Sequence, residues 1–156
     1  MRFREIKKQS QKKTQLKSKE PTVNYAGYVD RIKAFITDMF MIYAPILYLM
    51  AYVVMNGKDD FQSSDLAPLV GVSIYGLIYA VLLSKFGQTP GKKAYTIKVV
   101  DSKTYKNISF FRALFRFVAF LFSATILIGI LLPFYRKDKR ALHDLLSGTS
   151  VIVIKR

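Results

Sequence analysis

Two long apolar runs constrain the fold of this chain of 156 residues more than any other feature. Residues 34–55 are interrupted only by Thr37, Asp38 and Pro45. A helix of that length spans roughly 33 Å, which is enough to cross a bilayer. The second run, residues 66–84, carries no charge. Since neither run has a polar face, we interpret them as two membrane spans rather than as buried helices of a soluble protein.

The charged residues lie mostly outside these runs and predict their orientation. The chain has 25 Lys and Arg against 10 Asp and Glu, a formal net charge of +15. Residues 1–33 hold ten basic and three acidic side chains, whereas the loop at residues 56–65 holds one basic and three acidic ones. The positive-inside rule therefore predicts a multi-pass protein with a cytoplasmic N-terminus and an external acidic loop.

Residues 117–134 form a third apolar run that is harder to place. Residues 85–116 and residues 135–156, which flank it, are both basic and both favour the cytoplasm. A single crossing would put one of them outside, so a re-entrant segment competes with a full span. Four positions could interrupt the helix: Ser123, Thr125, Gly129 and Pro133.

Two short β-branched runs, residues 94–100 and 149–154, predict strands. Paired together they would form a small cytoplasmic β-ribbon, which requires both to lie on one side of the membrane and slightly favours the re-entrant interpretation. The predicted fold class is an all-α helical membrane protein. It has two transmembrane helices, a third membrane-inserted segment that spans or re-enters, and this small ribbon.

The N-terminal residues divide the chain into two parts. Residues 1–22 are polar and basic with few apolar groups, so they predict a disordered cytoplasmic tail. Residues 23–156 form the predicted membrane domain. A cleaved signal peptide is not expected, because no apolar stretch directly follows the basic start. A basic tail beside a span is typical of binding to anionic lipid, and nucleic acid is not an expected partner.

Asp38 is the first candidate site residue, because an ionisable group inside a span is energetically costly and is often functional. Arg31 lies seven residues earlier on nearly the same helix face, about 10.5 Å along the axis, which is too far for easy direct pairing. A structural tether and an ion or proton site both remain open for this pair. Asp144 is expected to meet Arg31, Arg112 or Arg116 near the cytoplasmic surface.

Four basic residues are predicted to contact lipid phosphate: Lys92, Lys93, Arg112 and Arg116. The two arginines stand one turn apart among Phe and Leu, in an interfacial helix that Ser109 can cap. The two lysines end a glycine-containing turn at residues 87–93. A phosphate-binding loop needs four residues between its glycines and this turn has three, so we reject nucleotide binding.

The composition excludes several kinds of chemistry. The chain has no Cys and one His, which removes disulfides, thiolate zinc sites, Cys nucleophiles and His-rich metal sites. His143 is adjacent to Asp144, but neighbouring residues do not generally share a helix face, and no nucleophile accompanies them. We therefore expect no enzyme activity, no cofactor and no metal.

Three positions, Arg31, Asp38 and Asp144, resemble the signature of the RDD family of bacterial integral membrane proteins. That family is named for an arginine at the start of its first membrane helix, an aspartate within the helix and a second aspartate. The Gly-Gln-Thr-Pro-Gly-Lys-Lys turn at residues 87–93 is similar to a family motif, as are residues 97–100 and 142–149. The resemblance covers about residues 25–154. The third segment, with Ile-Leu-Ile-Gly-Ile-Leu-Leu-Pro, is where this chain's helix break could differ from those of relatives.

The resemblance implies a location in the bacterial inner membrane and leaves the activity open, since family members are mostly uncharacterised and a few are associated with sodium/proton antiport. The leading hypothesis is transport of a small ion, with Asp38 binding the cation or proton, Arg31 tuning it and Asp144 gating or pairing. Two or three spans of one chain offer too few helices to enclose an ion pathway, so transport would need a homo-oligomer. The alternative hypothesis is a non-catalytic accessory or scaffold subunit of a membrane complex, in which the three residues form a structural charge network.

Overall fold

The first apolar run forms one continuous helical rod, which α2 (Tyr28–Asp38) begins and π-helical turns continue on either side of α3 (Ala44–Leu49). The computed structural model describes residues 2–17, 23–126, 135, 137 and 139–154. Pro45 lies in the first turn of α3 and has no N–H to donate to the Met41 carbonyl. The Ala44 N–H instead reaches the carbonyl five residues back, so the rod widens into a π turn before the proline.

The remaining elements follow in a fixed order. After the rod come α4 (Lys58–Ser63), α5 (Leu66–Phe86), α6 (Pro90–Ala94), β1 (Ile97–Asp101), α7 (Phe110–Ile126), α8 (Leu142–Ser147) and β2 (Thr149–Val153). The Ser64 hydroxyl accepts a hydrogen bond from the Ala67 N–H at the start of α5. Gly87 ends α5 in the left-handed conformation that favours glycine, with φ +68°.

Two helices, Tyr28–Val54 and Leu66–Phe86, are long and apolar enough to cross a membrane, as the sequence predicted. Their most apolar stretches are only 33% buried inside the structure. The core helix of a soluble protein is mostly buried, so the large exposed apolar share of these helices fits a lipid environment better.

The third apolar segment begins as α7, which continues through Ser123 and Thr125 without a break. Both hydroxyls donate back to carbonyls of their own helix, Ser123 to Ala119 at 2.8 Å and Thr125 to Phe122 at 2.7 Å. Neither position therefore interrupts the helix. Gly129 and Pro133 lie outside the described residues, so a span or a re-entrant path for this segment stays a prediction.

The two predicted strands pair, as expected, in an antiparallel two-stranded sheet. Ile97 lies opposite Val153 at one end and Asp101 opposite Thr149 at the other. The segment before α2 joins the edge of β2, where the Ala26 N–H donates to the Val151 carbonyl at 2.9 Å. The chain leading into the first rod is thereby attached to the sheet, whose cytoplasmic location stays a prediction.

Two apolar clusters form the core. The first joins the sheet to the ends of α2, α5 and α7, and the second lies between the rod, α5 and α7. The first contains Ala26, Ala34, Ala80, Leu83, Ile97, Val99, Ile108, Ala113 and Val151. The second contains Ile46, Met50, Ala67, Tyr75 and Phe117. Burial of these side chains fixes the sheet against one end of the helices.

The N-terminal segment is helical as α1 (Arg2–Lys17). Its side chains are exposed at residues 3–9 and 11, so that part of the helix adds nothing to either core cluster. An isolated helix of this length and polarity is marginal in water, and the predicted disorder of this tail stays a prediction.

Gly91 sets the distance between α6 and α2. A Cβ atom placed there would lie 2.1 Å from the Ala34 carbonyl oxygen and 2.9 Å from Cγ of Asp38. Both neighbours belong to a packed helix, the carbonyl to its backbone and the carboxyl to a short, fully buried side chain, so neither can easily move away. Only glycine therefore permits this contact.

We predict that Gly91→Ala lowers the free energy of unfolding by about 2 kcal/mol or more, because the added methyl group forces α6 away from α2. Gly27→Ala is the matched control, since its Cβ would meet its nearest neighbour at an ordinary 3.6 Å, and a change within about 1 kcal/mol is expected. Denaturant titration of both variants in detergent checks this. Equal stabilities would show that the helices do not depend on this close approach.

Candidate functional site

The carboxylate of Asp38 lies at the end of α2, is fully buried and receives hydrogen bonds from the N-terminus of α6. The Gly91 N–H donates to Oδ1 at 2.8 Å, and the Thr89 hydroxyl donates to Oδ2 at 2.5 Å. The Lys92 ammonium lies 3.8 Å from Oδ2. Both carboxylate oxygens are thus held by partners from a single turn.

The turn at residues 87–93 has the local sequence that this arrangement needs. Thr89 is the N-cap of α6 and its hydroxyl accepts a bond from the Lys92 N–H, while Pro90 takes the first helical position. A helix N-terminus favours negative charge, so the turn suits a carboxylate. The lysines of this turn are the part that suggests a function from the sequence, and its role in holding Asp38 is evident only in the structure. A Thr-Pro-Gly sequence together with an aspartate in a candidate span is the signal that indicates it.

Asp144, also fully buried, lies in the first turn of α8 between two arginines from different helices. Nη1 of Arg31 lies 2.6 Å from Oδ2, and Nη1 of Arg116 pairs with Oδ1. The Ala141 N–H donates to Oδ2 at 3.0 Å. The expectation that Asp144 meets an arginine is confirmed for Arg31 and Arg116, and Arg112 lies elsewhere.

Arg31 and Asp38 therefore share a helix without pairing with each other, as their spacing predicted. Tyr79 of α5 lies between the two carboxylate clusters. Nε of Arg116 donates to its hydroxyl at 3.4 Å, and the Lys92 ammonium lies 4.9 Å from the centre of its ring. The tyrosine therefore contacts both carboxylate clusters. The α6 cluster consists of Asp38 with Thr89, Gly91 and Lys92, and the α8 cluster consists of Asp144 with Arg31, Arg116 and His143.

The structure places the four predicted lipid contacts differently from one another. The Arg116 side chain points inward and its residue is 2% exposed, and Lys92 also faces the interior, beside Asp38. For Arg116 the lipid prediction is corrected, because a buried carboxylate attracts its charge more strongly than a solvated surface does. The Lys92 side chain is 13% exposed, so its lipid contact stays a prediction. Lys93 is exposed, so its lipid contact stays a prediction. Arg112 is partly exposed and pairs with Asp101 while also donating to the carbonyls of Ser147 and Gly148.

A cavity of about 340 Å³ lies beside both carboxylate clusters. It is lined by three cations and by a larger number of apolar and aromatic side chains. The lining residues are Tyr28, Arg31, Ile32, Phe35, Tyr75, Tyr79, Lys92, Ile97, Arg116, Phe117, Phe120, Ala141, His143 and Val151. No local sequence pattern predicts this cavity, because its walls come from seven elements, namely α2, α5, α6, β1, α7, α8 and β2.

The electrostatics of the α8 cluster stabilise a charged aspartate beside a neutral histidine. Burial alone would raise the pKa of Asp144, but the charges of Arg116 and Arg31, together with the hydrogen bond from the Ala141 N–H, hold it well below its ordinary value. Burial lowers the pKa of His143 to about 4, although Asp144 opposes the shift. The imidazole is therefore uncharged at neutral pH, and it packs edge-on against the Phe120 ring with centroids 5.3 Å apart.

The donor set does not suit a metal ion. Within the described ranges no group of three or more His, Cys, Asp and Glu side chains is gathered that could hold one. Each buried carboxylate already faces at least one cation, which would repel a metal.

The two long apolar helices, the sheet and the buried aspartates, each paired with a cation, define a helical membrane protein organised around buried ion pairs. The sequence model of the RDD family matches residues 25–148, so the chain belongs to that family. The three residues that resemble the family signature lie in the two carboxylate clusters. Asp38 is held by the α6 turn, and Arg31 pairs with Asp144.

Two relatives from Bacillus subtilis (strain 168) are similar over most of their length. The uncharacterized protein YckC is 29% identical over 134 residues, which cover 81% of this chain and 83% of the relative. The uncharacterized membrane protein YteJ is 24% identical over 135 residues, which cover 82% of this chain and 80% of the relative. No solved structure gives a significant match. The family and the name of the second relative support a membrane location.

We predict that Asp144→Asn lowers the free energy of unfolding by about 3–5 kcal/mol, because Arg31 and Arg116 lose their buried countercharge. Asp101→Asn is the matched control. It removes the more exposed ion pair with Arg112 and keeps an acceptor for the Lys103 N–H, so a loss below about 1 kcal/mol is expected. Denaturant titration in detergent measures both variants. Similar losses would contradict a special role for the α8 cluster.

The depressed pKa of His143 predicts a pH-dependent stability. The unfolded chain binds a proton near pH 6.5, whereas the folded chain binds it only near pH 4, so stability falls as pH falls through that window. Between pH 7 and pH 5 the expected loss is about 2 kcal/mol. His143 is the chain's single histidine, and carboxyl groups titrate mostly below this range. His143→Phe keeps the ring contact with Phe120 and should remove the slope, and an unchanged slope would refute the assignment.

Proposed function

We propose that the chain is a non-catalytic accessory or scaffold subunit of a membrane complex, in which buried aspartates clamp the sheet onto the first span. One observation carries the proposal, namely that fixed internal partners already occupy both buried carboxylates. Asp38 is held by Thr89, Gly91 and Lys92 of one turn. Asp144 lies between two arginines.

The occupied carboxylates argue against a carrier role. A transported cation would have to displace the Thr89 hydroxyl and the Gly91 N–H from Asp38 while approaching the Lys92 ammonium. Asp38 and Asp144 are both 0% exposed, so releasing either would leave buried donors without partners. A scaffold needs no such release, since its ion pairs only have to persist.

Sodium/proton exchange by a homo-oligomer is the competing proposal. It is supported by the position of Asp38 inside a span and by the resemblance to family members associated with antiport. In that mechanism Asp38 carries the ion and Lys92, the cation nearest to it, tunes its charge. The two proposals make opposite predictions for variants of the turn that holds Asp38.

The proposed topology follows from the paired strands and from the charge distribution. A sheet of two paired strands lies on one side of the membrane, so the chain between β1 and β2 returns to the side that it left. We propose that this is the cytoplasmic side of the inner membrane, with the basic N-terminus there and the third segment re-entrant. The exposed Lys93 and the basic tail would contact anionic lipid.

The experiment is a proton-flux assay in proteoliposomes on addition of sodium, potassium or lithium, combined with stability measurements. For the wild type we expect no cation-dependent pH change beyond that of empty liposomes. Asp38→Asn loses the ion pair with Lys92, so we expect its free energy of unfolding to fall by about 1–3 kcal/mol.

Thr89→Val is the matched control variant, because it removes one hydrogen bond to Asp38 and leaves the carboxylate ionisable. A structural role predicts that it destabilises the protein to a similar extent as Asp38→Asn. A cation-dependent signal that Thr89→Val retains and a stably folded Asp38→Asn loses would overturn the scaffold proposal and establish exchange.

A further inference from the structure

The cavity beside the two carboxylate clusters carries an excess of positive charge. Arg31, Lys92 and Arg116 line it, whereas the carboxylates of Asp38 and Asp144 lie behind the wall. With His143 uncharged at neutral pH, three cations face two anions. An unbalanced charge in an apolar environment is costly, so the arrangement favours an incoming anion.

Polar atoms without partners lie at the same place. Within the described part of the chain, four buried polar atoms have no hydrogen-bond partner: Nε and Nη2 of Arg31, Nδ1 of His143, and Oδ1 of Asp144, which Arg116 faces as an ion pair. All three nitrogens belong to residues that line the cavity. Buried polar groups in folded proteins are nearly always satisfied, so such a cluster indicates a missing ligand or solvent.

The rest of the cavity wall is apolar. Ile32, Phe35, Phe117 and Phe120 contribute much of it, and Phe35 packs against Phe120 with ring centroids 5.4 Å apart. Ile32 and Phe35 belong to the first candidate span and are 39% and 38% exposed. A ligand for this cavity therefore needs an apolar body as well as a charged group, and it can arrive from the lipid side.

The volume limits the size of the ligand. The cavity has a volume of about 340 Å³. This is near the lower limit for small-molecule pockets and too small for a whole two-chain phospholipid. It fits a short single-chain amphiphile.

We propose that this cavity binds a single-chain amphiphile with one anionic headgroup, such as a medium-chain fatty acid, taken from the bilayer. The headgroup lies near Arg31 and Lys92, and the chain lies against Phe117 and Phe120. The ion pairs with Asp144 and Asp38 hold Arg31 and Lys92 in place before the ligand binds. The proposal does not depend on whether the protein acts as a scaffold or as a transporter.

The test uses fluorescence, because the chain has no Trp of its own. Phe120→Trp places a reporter in the cavity wall, and Phe111→Trp places one on an exposed position of the same helix as a control for partition into lipid. Quenching by brominated octanoate and brominated octanol is measured in nanodiscs of zwitterionic lipid. For Phe120→Trp we expect octanoate to bind about tenfold more tightly than octanol, and for Phe111→Trp we expect no preference.

Charge and volume variants of the Phe120→Trp protein complete the test. Lys92→Met should remove the preference for octanoate, while Lys93→Met, which changes the neighbouring exposed lysine, should leave it intact. If Lys92→Met does not fold, Ile32→Phe fills the cavity and should weaken binding of both probes.

Three results would overturn the proposal. The first is equal affinity for the acid and the alcohol at the Phe120→Trp reporter. The second is an equal loss of preference in Lys92→Met and Lys93→Met, which would mean a general surface charge effect. The third is displacement of octanoate by inorganic phosphate alone, which would identify a site for a soluble anion without an apolar body.

Discussion

The ion pairs of Asp144 with Arg31 and Arg116 are the interaction on which the rest of the structure depends. The three residues come from α8, α2 and α7, which are far apart in sequence. Removing such charges from water costs several kcal/mol per ion, and two close partners with an additional N–H from Ala141 offset that cost. Because β2 follows α8 directly, the carboxylate also determines where the sheet lies against the helices.

The contacts of Asp38 and Asp144 connect both ends of α2 to the same two-stranded sheet. Arg31 near the start of this helix is held by α8, and Asp38 at its end is held by α6. The chain passes from α6 into β1 and from α8 into β2, and the two strands pair with each other. The first candidate span is therefore attached to both strands of one sheet through two carboxylates. A slip of either strand would break an ion pair as well as backbone hydrogen bonds.

Features with a local cause could be predicted from the sequence. The candidate spans follow from apolar length and the strands from β-branched runs, since both depend on near neighbours. The partners of Asp144 could be narrowed to three arginines, but the choice between Arg112 and Arg116 depends on how α7 packs. The sequence predicts lipid contacts for Lys92 and Arg116, because a basic side chain beside an apolar run usually extends to the interface. Their inward direction is set by carboxylates from distant segments, which no local pattern reveals.

The same network that clamps the fold leaves one positive charge in excess at the cavity wall. Arg31 and Lys92 are fixed by Asp144 and Asp38, so an anion entering the cavity would meet cations that need little further ordering. Pre-ordered partners bind more tightly than flexible ones, because the entropy of fixing them has already been lost. An occupant would in turn touch α2, α6 and α7 together, and these helices carry the sheet. Structural and binding roles for these charges are therefore compatible, because the ion pairs that stabilise the fold also fix the cations that line the cavity.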